Sequence, residues 1–298
     1  MVTKREQSEN TEWETEMSTR IVIGTTTITA LDDGTSFLPP MFFPGLDFDS
    51  HPGMLAEDGT FHIPTGCYLI QSEESTVLVD AGMGPTNIPF PPEIAAASGL
   101  AELPEFIAEG GYLLSLLADA GVSPADIDVV FLTHLHPDHI GWVAPGGELA
   151  FPNAEVVYGA ADWDALISPL PDDDLGRIGL EAARSAGKLR AIEGKTVEVA
   201  PGITAHHTPG HTPGHYVLSI TSGEQQAYLL ADSIHHCLQL NDLEIHFLTD
   251  IDRELALRTR EELISRFAGT DIAIGVSHFP GLNFNHIAVD DTRHWVEI

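Results

Sequence analysis

The sequence predicts an α/β chain whose order of elements fits a four-layer αβ/βα sandwich. Three observations lead there. Short apolar runs, several of them rich in β-branched residues, recur along the chain as buried strands would. Each half runs strands, then helix, then a strand that ends in polar residues. The helices therefore fall where they can cover sheets on both outer sides.

Taken in order, "RIVIGTTTITALDDG" reads as a strand or hairpin. "TSFLPPMFFPGLDFDSHPGML" is a loop punctuated by Pro and Gly and carrying Phe37, Met41, Phe42, Phe43 and Phe48. "GCYLI" and "TVLVDAG" read as buried strands, the second ending at Asp80 beside a glycine turn. "PEFIAEGGYLLSLLADAG" reads as one helix interrupted by Gly110 and Gly111 and closed by Gly121. In "SPADIDVVFLTH", Ser123 caps a brief helix with Pro124 at its first position, and a strand then delivers His134. "AEVVYGA" is a strand, and residues 172–189 have helical composition. "KTVEVAPGITAHHTPGH", "HYVLSI" and "QAYLLAD" are strands joined by turns. "DRELALRTREELISRFAGT" is an amphipathic helix with Asp252 at its start and Gly269 at its end. "DIAIGVSHFPG" is a strand running into a loop. Residues 1–17 are polar and acidic and are expected to be a disordered tail ahead of a single domain over 18–298.

Acidic residues outnumber basic ones 45 to 13, giving a formal net charge of −32, so nucleic acid and anionic membranes are not expected partners. Such a surface also predicts adaptation to high salt, where screening relieves self-repulsion. No apolar run is long enough for a membrane-spanning helix, and the polar N-terminus does not read as a secretory signal. With only Cys67 and Cys237 there is no disulfide framework, and a reducing cytoplasm is the expected location.

The densest chemistry lies in "THLHPDHIGW", residues 133–142. Imidazole nitrogens and carboxylate oxygens are good ligands for zinc and similar ions. His134 and His136 alternate along extended chain and so point the same way, whereas Asp138 and His139 follow the turn at Pro137. One loop thus offers two ligands to each of two metals. Further candidates end other elements: His211 in "TPGHTPGH", Asp232 after "AYLLA" and His278 after "DIAIGVS". A carboxylate such as Asp232 has two oxygens and can bridge two cations.

These motifs, in this order, resemble the HxHxDH signature and accompanying segments of the metallo-β-lactamase-fold hydrolases, from about residue 20 to the C-terminus. The resemblance implies the four-layer sandwich of that family and two divalent metal ions, zinc first, with manganese, iron or cobalt as alternatives. One ion would take His134, His136 and His211, the other Asp138, His139 and His278, with Asp232 and a hydroxide bridging them. It also implies that Asp80 and His215 support the ligands, and that the protein forms a homodimer. The zinc β-lactamases lack an aspartate at the bridging position, which counts against penicillin hydrolysis. The 21-residue step from His211 to Asp232 and the 46-residue step to His278 resemble the lactonase and methyl parathion hydrolase group. Lactonases of that group usually carry a tyrosine three residues after the bridging aspartate, where this chain has His235.

The expected function is therefore hydrolysis of small apolar esters or lactones, acyl-homoserine lactones among them. Asp232 and His235 would be catalytic, and Phe37, Phe42, Phe43 and His235 would face the substrate. Two alternatives stay open: organophosphate triester hydrolysis at the same metals, and a non-catalytic ligand-binding member of the fold. His206, His207 and Trp142 are read as ordinary packing residues. Specificity is expected in the loops at 34–58 and 165–180.

Overall fold

The computed structural model describes residues 18–51 and 53–298; the expected acidic tail at 1–17 lies outside them. Two sheets form the centre. The first joins Ser18–Ile23, Thr26–Leu38, Phe61–Gln71, Thr76–Val79, Ile88–Pro89, Phe106–Glu109, Val129–Leu132, Glu155–Gly159 and Leu189–Ile192. The second runs in sequence order from Thr196–Ala200 through Ile203–His207, Tyr216–Ser222, Gln225–Leu229, Ala273–Gly275 and Asn285–Val289 to Arg293–Glu297.

Period-two alternation explains the layering. Val77, Val79 and Phe131 face a core shared with Leu218, Ile220 and Leu229 of the other sheet. Their neighbours Leu78, Val130 and Leu132 face outward, where Leu113, Leu117, Leu180 and Ala183 cover them. Those four residues lie on the helices Leu113–Asp119 and Leu175–Ser185. On the far side Val217, Tyr228 and Ile274 pack under Leu263, Ile264 and Phe267 of the helix Arg253–Phe267. Strands buried on both faces read as unbroken apolar runs, which is why the sequence marks them. Among the described residues, no helix is long and apolar enough to cross a membrane.

Several local readings match the observed elements. Ser123 forms a capping box with Asp126 ahead of Val129–Leu132. Asp252 accepts from the Leu255 amide at the start of the long helix. The stretch "PEFIAEGGYLLSLLADAG" differs from the expectation of one helix. Its first part is a strand, Phe106–Glu109, with Ala108 and Glu109 paired to Ser36 and Thr35. Only Leu113–Asp119 is helical. An open edge of the first sheet satisfies the backbone at 106–109, and Gly110 fits where a Cβ would lie 2.6 Å from that of Met83.

Parallel pairing sets where the functional groups emerge. Thr76–Val79, Val129–Leu132, Glu155–Gly159 and Leu189–Ile192 are mutually parallel, and Gln225–Leu229 is parallel to Ala273–Gly275. Asp80, His134, Asp232 and His278 all follow the carboxyl ends of these strands, which is where sheets of this kind place ligands.

A buried carboxylate locks the loops under this edge. A register shift between Asp32 and Thr35 accompanies the inward turn of Asp33. Its oxygens accept from the backbone amides of Met83 at 2.7 Å, Gly84 at 3.1 Å and Leu113 at 2.6 Å, and from Trp142 Nε1 at 3.0 Å. Gly141 lies so close to the same turn that an added Cβ would sit 2.0 Å from the Met83 carbonyl oxygen. Replacing Asp33 with Ala would leave these donors without partners. We expect a loss of about 3 kcal/mol of stability or more in chemical denaturation; a loss below roughly 1 kcal/mol would show that water replaces the carboxylate at little cost.

Candidate metal centre

Strand ends and the loops beside them bring all seven expected ligands to one place. His134, His139, His211, Asp232 and His278 are buried, His136 is half-buried, and the Asp138 side chain is 22% exposed. His134 Nε2 and His211 Nε2 lie 2.9 and 3.0 Å from His136 Nδ1, so three ring nitrogens converge on one point. Asp138 Oδ2 lies 3.6 Å from both His139 Nε2 and His278 Nε2, which forms a second group.

Asp232 stands between the groups. Its Oδ2 is 3.4 Å from His211 Nε2 and 3.8 Å from His134 Nε2 on one side, and 3.1 Å from His278 Nε2 on the other. Its Oδ1 is 3.4 Å from His139 Nε2. Within each of the triads His134–His136–His211, His134–His139–Asp232 and Asp138–His139–His278, the donor atoms lie within 4.8 Å of one another. His139 Nε2 and Asp232 Oδ1 are buried with no hydrogen-bond partner among the described residues. Buried polar atoms without partners are costly, and a cation between them would satisfy both. The donor set thus fits two divalent ions.

The ring tautomers follow from what each outer nitrogen meets. His139 Nδ1 lies 2.9 Å from Asp80 Oδ2, His211 Nδ1 donates to Asp250 Oδ1 at 2.9 Å, and His278 Nδ1 donates to the Pro64 carbonyl at 2.8 Å. For His211 and His278 these partners cannot donate, so Nδ1 carries the proton and Nε2 offers its lone pair inward, whereas the close contact of His139 with Asp80 makes no well-aligned hydrogen bond. His136 is the exception, since it turns Nδ1 toward the other rings.

Charge and burial act strongly here. Burial alone would raise the Asp232 carboxyl, but His278, His139 and His134 outweigh it and hold it well below the usual carboxylate range. Burial pushes His134 well down, and His136 down to about 3. Burial would also lower His139, yet Asp80, Asp232 and Asp138 raise it well above the ordinary value.

The supporting backbone is strained. Asp80 has φ 61° and Ala231, just before Asp232, has φ 45°, conformations that side-chain-bearing residues rarely adopt. Asp80 is held by accepting from the Thr133 amide at 2.8 Å and its hydroxyl at 3.0 Å. His215 lies behind Asp232: its Nε2 accepts from the Asp232 amide at 3.3 Å, and its ring contacts Thr208 Oγ1 at 2.9 Å.

His235 is fully buried, with Nε2 3.2 Å from Asp232 Oδ2. Its ring stacks on Phe247 at 3.9 Å and lies nearly parallel to His278 at 5.7 Å. Phe42 and Phe43 reach this site through Phe247, with ring centroids 5.7 and 5.1 Å from it, and both are buried in one apolar cluster. Phe37 sits apart, edge-on to His62 at 4.9 Å. The structure therefore brings His235 to the ligand cluster, sets Phe42 and Phe43 one ring behind it, and leaves Phe37 outside.

Sequence reading passed over Phe247, Asp250 and Arg260. No short motif marks the first two. Arg260 did leave a signal: with Ala256, Leu263, Ile264 and Phe267 it falls on the buried face of its helix, and a charge there implies a buried partner.

Family models and relatives agree with this geometry. The model described as the metallo-beta-lactamase superfamily matches residues 63–274. An N-acyl homoserine lactonase of Bacillus cereus is 28% identical over 218 residues, which is 73% of this chain and 82% of the relative. Among solved structures, AidC, described as a dizinc quorum-quenching lactonase, superposes with a TM-score of 0.75 at 24% identity, covering 94% of this chain and 97% of that one. The hydrolase AbOPH of the beta-lactamase superfamily has the same TM-score and coverage at 23% identity. At these identities the structural likenesses carry the fold.

A carboxyl beside the site supplies a pH test. Burial pushes Asp32 up to about 6, against the backbone amides of Gly34 and Thr65. A raised folded value means that its contribution is fully present below the unfolded value near 3.8 and is lost as pH rises through about 6. In metal-free protein, Asp32→Asn is expected to melt progressively higher than the parent as pH rises from about 4 to 7. Parallel melting curves across that window would refute it.

Proposed function

This chain belongs to the metallo-beta-lactamase superfamily, and from that premise we propose that it is a dimetal hydrolase of lactones and small apolar esters, with acyl-homoserine lactones the first candidates. The observation that carries the proposal is the position of Asp232, whose carboxylate lies within 3.8 Å of ring nitrogens from both ligand groups. The likeness to N-acyl homoserine lactonases supports the choice of electrophile. Zinc is the proposed metal, because imidazole and carboxylate donors suit it and because AidC is described as dizinc.

His134, His136 and His211 would hold one ion and Asp138, His139 and His278 the other, with Asp232 shared. Bound there, the ions supply Lewis-acid stabilisation of developing negative charge and a nucleophile at neutral pH.

The chain's own residues do the rest. Asp80, Asp250 and the Pro64 carbonyl aim three ligand rings. Burial of the cluster excludes bulk water, so each charge acts at full strength on the reacting centre. Asp232, ionised, would accept the proton given up as water becomes the nucleophile, and it or His235, 3.2 Å away and in the position where related lactonases use a tyrosine, would return that proton to the departing alkoxide. The Phe42–Phe43–Phe247 cluster backs His235 and suits an acyl chain better than a charged one.

Elemental analysis with a hydrolysis panel tests this. Two metals per chain are expected, with turnover of lactones exceeding that of a phosphotriester and nitrocefin. Asp232→Ala, assayed metal-replete, is expected to lose on the order of 100-fold or more in kcat/KM. Chelation should abolish activity, and added zinc should restore it. Near-parental turnover by Asp232→Ala, or a single metal per chain in metal-replete protein, would overturn the dimetal assignment.

A further inference from the structure

The ring of His211 has a partner that none of the recognisable motifs contains. Its Nδ1 donates to Asp250 Oδ1 at 2.9 Å, while its Nε2 faces His136 and Asp232. Asp250 is itself buried. Its second oxygen accepts from the Phe247 amide at 3.2 Å and lies 3.4 Å from Arg260 Nη2.

Arg260 is 1% exposed. It also donates to the Ser233 carbonyl at 3.1 Å through Nε, and to the carbonyls of Leu243 and Ile245 at 3.0 and 2.9 Å through Nη1. A buried guanidinium is costly unless its donors are used. Here they gather three segments: the turn that carries Asp232, the loop at 243–250, and, through Asp250, the loop that carries His211. Backbone bonds reinforce the last link, since Ile251 and Asp252 donate to the carbonyls of His211 and Gly210 at 3.0 Å each.

Resting on the dimetal reading, we propose that Asp250, held by Arg260, is a positioning residue that fixes His211 in the Nδ1-protonated tautomer and so sets the metal affinity of the three-histidine site alone. Asp80 has the corresponding place at His139 in the other group, so the two sites are tuned by separate carboxylates. The arrangement is a carboxylate–histidine–metal relay whose carboxylate comes from a distant loop.

Three forms of the full-length protein test this: parent, Asp250→Asn, and the double variant Asp250→Asn with Arg260→Met. The double variant removes the guanidinium that the single one strands, so it shows whether an unpaired Arg260 is what changes the affinity. Stepwise zinc affinities are read by chelator competition, and the His211 tautomer by imidazole ¹⁵N shifts in metal-free and zinc-loaded protein. In the parent the proton should sit on Nδ1. In Asp250→Asn one of the two zinc ions should bind about 10–100-fold more weakly, with the other unchanged. The double variant, which also strips the Ser233, Leu243 and Ile245 carbonyls of their donor, should melt below the parent and should not recover the affinity.

A parent His211 protonated on Nε2, unchanged zinc affinities, or both sites weakening in step with metal-free stability would each overturn the proposal. The parent's own metal count and turnover judge the dimetal reading separately. Because the tautomer is read in metal-free protein, the positioning claim stands or falls even if the parent binds fewer than two ions.

Discussion

One carboxylate organises the site. Asp232 is buried among His134, His139, His211 and His278, and its oxygens lie within 3.8 Å of ring nitrogens from both ligand sets. An isolated buried carboxylate would protonate rather than stay charged. Here the neighbouring imidazoles, His278 and His139 above all, hold the carboxyl well below its usual range, which makes its charge the anchor for the cations that the site is built to hold. The strained turn at Ala231, the His215 ring behind the Asp232 amide and the Arg260 bond to Ser233 all bear on the same few backbone atoms. Strain at a functional turn persists only where the surroundings over-determine it, and here His215 and Arg260 do so.

The fold supplies that over-determination cheaply. Parallel strands end at one edge, and the residue after each end is free of the ladder and can turn inward. Two strands of the first sheet and two of the second deliver Asp80, His134, Asp232 and His278 in this way. Loops bring the remainder, and loops need fastening. Asp33 fastens those at 83–84, 113 and 142. Asp162 fastens the two ligand loops to each other, accepting from the amides of Leu135 and Gly214 and from the Thr212 hydroxyl. A buried carboxylate that accepts several bonds ties distant segments with one side chain, and this chain does so repeatedly.

That device also explains what the sequence could and could not convey. The ligand cluster was legible because its members sit in short motifs with fixed spacing next to apolar strands, and the two-sided strands were legible as continuous apolar runs. Asp33, Asp162 and Asp250 were not, because a carboxylate that ties remote segments has no local pattern around it. In a chain with 45 acidic residues, a structural aspartate looks like every solvated one. Phe106–Glu109 was misread for a related reason: its strand character comes from pairing with Thr35 and Ser36, far away in sequence, rather than from its own propensity. Arg260 is the informative contrast. Cations are scarce here, so one on the apolar face of a helix was a signal for a buried acid, and the reading passed over it.

The scarcity of cations bears on turnover as well. A neutral lactone approaching a surface with formal charge −32 meets no net barrier, whereas the carboxylate released by its hydrolysis is repelled as soon as it leaves the metals. Screening confines the repulsion between exposed charges to about 10 Å at ordinary ionic strength. Inside, the ions would hold the product; outside, the surface would hinder its return. The acidic surface thus gives a direction to the proposed reaction: neutral molecules enter and anions leave. Higher salt would weaken that bias while relieving the self-repulsion of the fold, so stability and product release respond to ionic strength in opposite senses.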